Sequence, residues 1–209
     1  MTERIYLLRS CNADFSSARD RSFVWPSTVG MEVQPCAWNP APTCGGGLHG
    51  FVRGEGDASL ADWSKTAQWL VFSADPADVV NIGRKAKVRI ARVEHVGQGA
   101  AGQDRRLDCL AYLDRLGQCG AAAMGVMRQG GYYSTLTGGD RSTLTGGDCS
   151  TLTGGDGSTL TGEDRSTLSA RWWDGARYRI TIGYVGENGI EAGKPYRLND
   201  KGKFCEVRS

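Results

Sequence analysis

An octapeptide repeats five times between residues 130 and 169, as GGYYSTLT, GGDRSTLT, GGDCSTLT, GGDGSTLT and GEDRSTLS. This repeat constrains the fold more than any other feature of the chain, because each copy is expected to adopt the same local structure. Ser-Thr-Leu-Thr alternates as a β-strand does, and Gly-Gly-Asp has the chemistry of a turn. The sequence therefore predicts short strands joined by glycine turns.

The alternation also predicts which side chains are buried. Leucine is the large apolar residue of the octad, so its face should form a core from Leu136, Leu144, Leu152, Leu160 and Leu168. The threonines should then point outward as candidate binding residues, namely Thr135, Thr137, Thr143, Thr145, Thr151, Thr153, Thr159 and Thr161.

A four-residue strand cannot bury its leucine alone. We expect two octads to form one coil with a strand on each side, and successive coils to stack at ~4.8 Å. The predicted fold class is therefore an α+β N-terminal module (1–120), a short β-solenoid (121–169, octads 130–169) and a C-terminal β-strand cap (170–209). In this cap Trp172 and Trp173 should close the open apolar end of the solenoid, with an exposed aromatic binding patch as the alternative.

The octads resemble the repeats of bacterial ice-nucleation proteins, which carry Thr-x-Thr rows on 16-residue coils. Because two and a half coils offer little area, ice nucleation is not expected. Calcium binding by the recurring aspartates is one alternative, the sites being Asp140, Asp148, Asp156 and Asp164. DNA mimicry is another, since these four aspartates and Glu163 against Arg141 and Arg165 give the repeat a net charge of −3.

Overall composition gives no indication of a strongly charged polymer as partner or of a membrane span. The net charge of the chain is +2, and no apolar run approaches the ~18 residues of a membrane span. The N-terminus lacks the pattern of a secretory signal, so the seven cysteines are expected to be reduced thiols in a cytoplasmic protein. No membrane partner and no cofactor are predicted.

Two clusters in residues 1–120 are candidates for chemistry. Lys85, Lys87 and Arg89 alternate within a strand expected from residue 84 to residue 96, which places three cations on one face as a nucleic-acid footprint or a solvated surface. Cys36, Cys44 and His49 lie close enough in sequence to hold a metal, with buried thiols as the favoured alternative. A helix is expected from Asp104 to about Leu116.

Gly-Leu-His-Gly around His49 is similar to the strand His-Gly of some ADP-ribosyltransferases, which implies an enzyme that binds a nicotinamide nucleotide. Residues 47–49, 74–80 and 93–96, followed by the octads, resemble uncharacterised bacteriophage and prophage proteins. The sequence shows no catalytic triad, phosphate-binding loop or convincing metal set, and a short rigid solenoid suits protein recognition, so a non-enzymatic interaction protein is expected. The phage resemblance implies that it blocks or modifies a bacterial protein or ribonucleoprotein complex, with an anti-CRISPR role as one form. A homodimer through an edge of the solenoid and direct nucleic-acid binding are the remaining hypotheses.

Overall fold

The computed structural model describes residues 3–18 and 20–207, and the chain divides into two compact units, Met1–Gly120 and Ala121–Ser209. Within the described residues, no helix is long and apolar enough to cross a membrane.

The first unit is built on a seven-stranded sheet. Its strands are β1 (Ile5–Cys11), β2 (Glu32–Val33), β3 (Leu48–Val52), β4 (Gln68–Ala74), β5 (Val79–Asn81), β6 (Ala86–Val88) and β7 (Ala91–Val96). They lie in the order β2-β7-β4-β1-β3-β6-β5, and every neighbouring pair is antiparallel. Strands β1 and β4 are central, which explains why consecutive residues such as Leu70, Val71 and Phe72 are fully buried on β4.

One α-helix, α1 (Gly102–Arg115), packs against β4 and β7. It begins where the Asp104 carboxylate accepts a 3.0 Å hydrogen bond from the Ala101 amide, and it buries Cys109, Leu110 and Leu113. The helix expected between Asp104 and Leu116 is confirmed. The single strand expected over 84–96 is wrong, because Arg89 and Ile90 separate β6 from β7 and the two strands lie in different parts of the sheet.

The second unit contains two sheets. Their strands are β8 (Met127–Gln129), β9 (Thr135–Thr137), β10 (Thr143–Gly146), β11 (Thr151–Gly154), β12 (Thr159–Gly162), β13 (Thr167–Trp173), β14 (Tyr178–Tyr184), β15 (Pro195–Leu198) and β16 (Phe204–Glu206). A five-stranded sheet has the order β16-β15-β12-β10-β8, and a four-stranded sheet has the order β14-β13-β11-β9. Successive octads therefore alternate between the two sheets.

The pairing of the octads is regular. Leu144 lies opposite Leu160 in the five-stranded sheet, and Leu152 lies opposite Leu136 and Leu168 in the four-stranded sheet, all in parallel register. Each neighbour is thus sixteen residues away in sequence, which is two octads. The register places identical side chains in rows across each sheet.

The predicted fold class is wrong. The described residues are mostly β, in three sheets with a single α-helix, so the first unit is not the α+β module that we expected. The octad strands belong to mixed sheets, because β14 pairs antiparallel with β13, β15 pairs antiparallel with β12, and β16 continues from β15. The last octad strands carry backbone groups that need partners, and the C-terminal strands supply them. A simple solenoid followed by a separate cap does not describe this arrangement.

The predicted leucine core is confirmed for Leu144, Leu152, Leu160 and Leu168, which are fully buried, whereas Leu136 is only partly buried. The serine that precedes each Thr-Leu-Thr is buried as well, at Ser142, Ser150, Ser158 and Ser166. At Ser158 the hydroxyl joins neighbouring octads of one sheet, because Ser158 Oγ accepts from the Ser142 amide at 3.2 Å and donates to the Gly139 carbonyl at 3.1 Å. The buried Ser158 hydroxyl is thus satisfied by groups of the neighbouring octad.

Each octad turn contains one residue in the left-handed region. This residue follows Gly-Gly-Asp or its equivalent, and its φ lies between 57° and 67° at Tyr133, Arg141, Cys149, Gly157 and Arg165. Only one of these five residues is glycine, although a side chain makes this conformation unfavourable. The stacked sheets therefore impose the turn, and the residue at this position does not determine it.

Candidate interaction surface

The four-stranded sheet presents an outward face made of rows. Because alternate residues of a strand share a face, the parallel and antiparallel registers align residues across four strands. One row is Thr135, Thr151, Thr167 and Tyr184, and the next is Thr137, Thr153, Ser169 and Ile182. Thr135, Thr151 and Thr153 are exposed, and Thr137, Thr167 and Ser169 are half-buried. We call these two rows, with the stripe described next, the threonine face.

An apolar stripe forms the β14 side of this face. Its members are large and lie at every second position of β14, with exposed fractions of 42% for Tyr178, 70% for Ile180, 56% for Ile182 and 50% for Tyr184. Trp173 lies opposite Tyr178 with ring centroids 5.1 Å apart in an edge-to-face arrangement. Contiguous exposed apolar side chains of this size are typical of interaction sites rather than of ordinary solvated surface.

Arg171 joins the stripe to the repeat turns. Its guanidinium lies 4.4 Å from the centre of the Tyr178 ring and donates to the buried carboxylate of Asp140 at 2.7 Å. Asp140 also accepts from the Asp156 amide at 2.8 Å. Burial, together with the nearby Asp140 charge, raises the pKa of Asp156. These contacts hold the stripe in a fixed position, as recognition of a folded partner requires.

Asp140, one of the recurring aspartates, therefore has a structural role. Asp140 bonds to Arg171 and to the amide of the next octad on its sheet. Within residues 3–18 and 20–207, no group of three or more histidine, cysteine, aspartate or glutamate side chains is placed to hold a metal ion.

The remaining candidate threonines lie on the other sheet. Thr143 and Thr145 are on β10, Thr159 and Thr161 are on β12, and all four are half-buried. The Arg197 guanidinium donates to the Thr159 hydroxyl at 3.0 Å. The sequence-predicted threonine set is thus divided between two sheets, and only the four-stranded sheet continues into an apolar stripe.

The two tryptophans have different environments. Trp172 is half-buried against Gly202, and its indole N–H donates to the Thr181 hydroxyl at 3.1 Å. Trp173 is 48% exposed and extends the apolar stripe. The expectation that both tryptophans close an apolar end is wrong for Trp173. Its side chain lies on the outward face of β13, opposite Tyr178, and so matches the alternative of an exposed aromatic patch.

The cationic face expected in the first unit is also wrong. Lys87 is fully buried, and its ammonium donates to the carbonyls of Thr43 and Gly45 at 2.8 and 2.9 Å. The 39–47 loop covers the Lys87 side chain. The centre of the neighbouring Trp38 ring lies 5.9 Å from the ammonium. Lys85 is half-buried and Arg89 is exposed, so the three cations do not form one accessible row.

A cavity of about 800 Å³ lies beside this loop in the first unit. His49, Cys36 and Cys44 line this cavity. The expectation of buried thiols is wrong, because Cys36 and Cys44 are both exposed. Sequence reasoning did not select two other lining residues. Arg9 donates to the His49 carbonyl at 2.6 Å, and its guanidinium lies 4.9 Å from the centre of the buried Trp25 ring.

Sequence reasoning also did not select the β14 stripe, although its signal is visible as Tyr-Arg-Ile-Thr-Ile-Gly-Tyr. Strict alternation of large apolar residues normally predicts that they face a core. Here the opposite face is inward, because Gly183 and Val185 are buried and Phe204 packs over Gly183.

The chain was compared with protein-family models, with curated proteins and with solved structures, and none of them matches it.

Proposed function

We propose that this protein is a non-enzymatic interaction protein that binds another protein through the threonine face of its four-stranded sheet. One observation carries the proposal: the threonine rows continue without interruption into exposed tyrosine, isoleucine and tryptophan side chains. Exposed tyrosine and tryptophan side chains beside polar rows are typical of protein–protein interfaces, which are enriched in aromatic residues.

The rigidity of the face supports this proposal. Threonine and isoleucine on strands have few rotamers, so ordering them on binding costs little conformational entropy. Arg171 is already held between Asp140 and Tyr178. A partner with a flat surface that is partly apolar and carries acceptor groups would fit this face. A bacterial defence complex, which the phage resemblance implies, remains one such partner in this proposal.

A matched pair of variants tests the proposal. Thr153→Lys places a flexible cation in the threonine face, whereas Thr145→Lys makes the same change at the same octad position on the other sheet. The full-length tagged chain is incubated with nuclease-treated bacterial lysate, and captured proteins are quantified by mass spectrometry. We expect a stoichiometric protein partner whose capture falls at least ~10-fold with Thr153→Lys, as for a change at an interface centre, and is unchanged with Thr145→Lys.

Equal capture by both variants and the unchanged chain would contradict use of this face. Capture that disappears after nuclease treatment would instead support the nucleic-acid hypothesis.

The cavity of the first unit supports a second candidate function, which is binding of a small molecule. Its volume is in the range of ligand sites, and it combines the Trp25 ring and the Arg9 guanidinium with the His49 imidazole at its wall. The test is a calorimetric titration with nicotinamide nucleotides. His49→Ala should abolish binding while leaving the far-ultraviolet circular dichroism unchanged, and absence of binding by the unchanged chain would refute this candidate.

A further inference from the structure

Strand β14 is the end strand of its sheet, and its hydrogen-bonding pattern shows which backbone groups face outward. The Val185 amide donates to the Ser166 carbonyl at 2.9 Å, continuing the ladder between β13 and β14. In an antiparallel pair these bonds occur at every second residue, so odd-numbered residues of β14 bond to β13. The backbone groups of Tyr178, Ile180 and Ile182 therefore point to the outer edge.

The sequence of β14 is symmetric about its central residue. Tyr178 and Ile180 precede Thr181 at the same spacings at which Ile182 and Tyr184 follow it. If a second copy pairs antiparallel along this edge on a two-fold axis at Thr181, Ile180 lies opposite Ile182 of the second copy and Tyr178 lies opposite Tyr184. These four are even-numbered residues, so the backbone groups that face the edge are also the groups that this register brings together.

The charges at the two ends of β14 are complementary in the same register. Arg177 and Arg179 lie at its beginning, and Glu187 follows its end. Arg179 is already paired with Asp174 of its own chain, which leaves Arg177 as the cation nearest the approaching acidic end. Antiparallel pairing places the basic end of each copy beside the acidic end of the other, whereas parallel pairing would place like charges together.

An end strand with exposed apolar side chains has an energetic reason to pair. Native proteins protect long apolar edge strands with charges, prolines or bulges. The stripe positions of β14 are tyrosines and isoleucines, at 42% to 70% exposure, and β14 contains no proline. Pairing satisfies the edge amides and brings the apolar side chains of two stripes into contact on one face.

We propose that a second copy of this chain occupies the β14 edge, forming a symmetric dimer with a continuous eight-stranded sheet. This goes beyond the proposed function, because it concerns the backbone edge of β14 and a second copy of this chain, although the β14 side chains also belong to the threonine face. The dimer would place two threonine faces side by side, with the two apolar stripes adjoining at the centre.

The first test is light scattering of the purified full-length chain over a concentration series. We expect a mass that rises to twice 22.5 kDa. Ile180→Lys should weaken dimerisation by roughly 100-fold, because two isoleucine contacts are lost in each dimer. Val29→Lys is the control, since Val29 is similarly exposed at 57% but lies in the first unit, and this variant should dimerise as the unchanged chain does.

A charge-pair experiment tests the register itself. Chains carrying Ile180→Lys and chains carrying Ile182→Glu should each be monomeric, and their mixture should form heterodimers, because the proposed register brings the two new charges opposite each other. A chain that stays monomeric at every concentration, a dimer unaffected by Ile180→Lys, or a mixture that gives no heterodimer would each overturn the proposal.

These measurements use the purified chain alone and are therefore independent of partner capture. Loss of capture with Thr153→Lys and an unchanged dimer would support both proposals, whereas a monomer that still captures its partner would refute only the dimer. Circular dichroism of each variant checks that it is folded.

Discussion

Removing the Ser158 hydroxyl should destabilise the second unit by about 2 kcal/mol. This hydroxyl is almost fully buried, accepts from the Ser142 amide at 3.2 Å and donates to the Gly139 carbonyl at 3.1 Å. Ser158→Ala leaves the buried Ser142 amide without an acceptor, which costs about 1–3 kcal/mol. Gly139 is less affected, because its carbonyl also accepts from the Gly155 amide.

Ser142→Ala is the matched control for this change. Ser142 occupies the same octad position and is equally buried at 1% exposure, but its hydroxyl has no hydrogen-bond partner among the described residues. Its removal deletes a buried hydroxyl that makes no bond, so we expect a change between about zero and a 1 kcal/mol gain in stability. The Ser142 amide itself is present in both variants.

Native-state hydrogen exchange with mass spectrometry measures the effect in each unit separately. In peptides from β10 to β13, Ser158→Ala should raise the rate of amide hydrogen exchange roughly 30-fold, because the second unit opens more often; this factor corresponds to about 2 kcal/mol. Peptides from Met1–Gly120 should not change. Equal effects of the two substitutions, within about 0.5 kcal/mol, would refute the reasoning that the hydroxyl contributes through its bonds between octads.

Three further predictions concern other sites. Cys149→Gly should raise the urea midpoint of the second unit by an amount equivalent to roughly 1 kcal/mol, because Cys149 has a φ of 57° that glycine adopts without strain. Burial raises the pKa of Asp108, but a backbone amide and His95 outweigh it and hold that pKa below its usual value. The stabilisation is therefore present above about pH 4 and is lost as the pH falls below it, so Asp108→Asn should flatten the acid limb of a stability–pH profile of the first unit. Lys87→Met should lower stability by about 1–3 kcal/mol in chemical denaturation and expose the 39–47 loop to proteolysis, because the two carbonyls lose their ammonium donor; Lys85→Met should have less than about 0.5 kcal/mol effect.

The octads were the most predictable part of the chain. Their period-two alternation places leucine and threonine on opposite faces whatever the wider topology, and Leu144, Leu152 and Leu160 are buried as expected. The spacing of identical residues likewise indicates repeated strands. Neither pattern indicates what pairs with the last strand, and this is why the mixed sheets were not predicted.

Burial of charged and apolar side chains was less predictable, because it depends on distant segments. Lys87 reads as one of three surface cations until a loop forty residues earlier supplies carbonyls for its ammonium. Ile180 and Ile182 read as core residues until β16 covers the opposite face of their strand through Phe204. In both cases the local sequence shows which residues alternate along the strand, and the tertiary contacts decide which of its two faces is buried.

The sixteen-residue register has a consequence for how such a gene can change length. Recombination between octads can delete or duplicate eight residues at a time, but a single unit would transfer every following strand to the opposite sheet and would place β14 and β15 against the wrong neighbours. Gain or loss of a pair keeps every downstream strand on its sheet and changes only the width of each face. Viable length variants should therefore differ by even numbers of octads, and the odd number in this chain, which has five, fixes which sheet receives β14 and which receives β15 and β16.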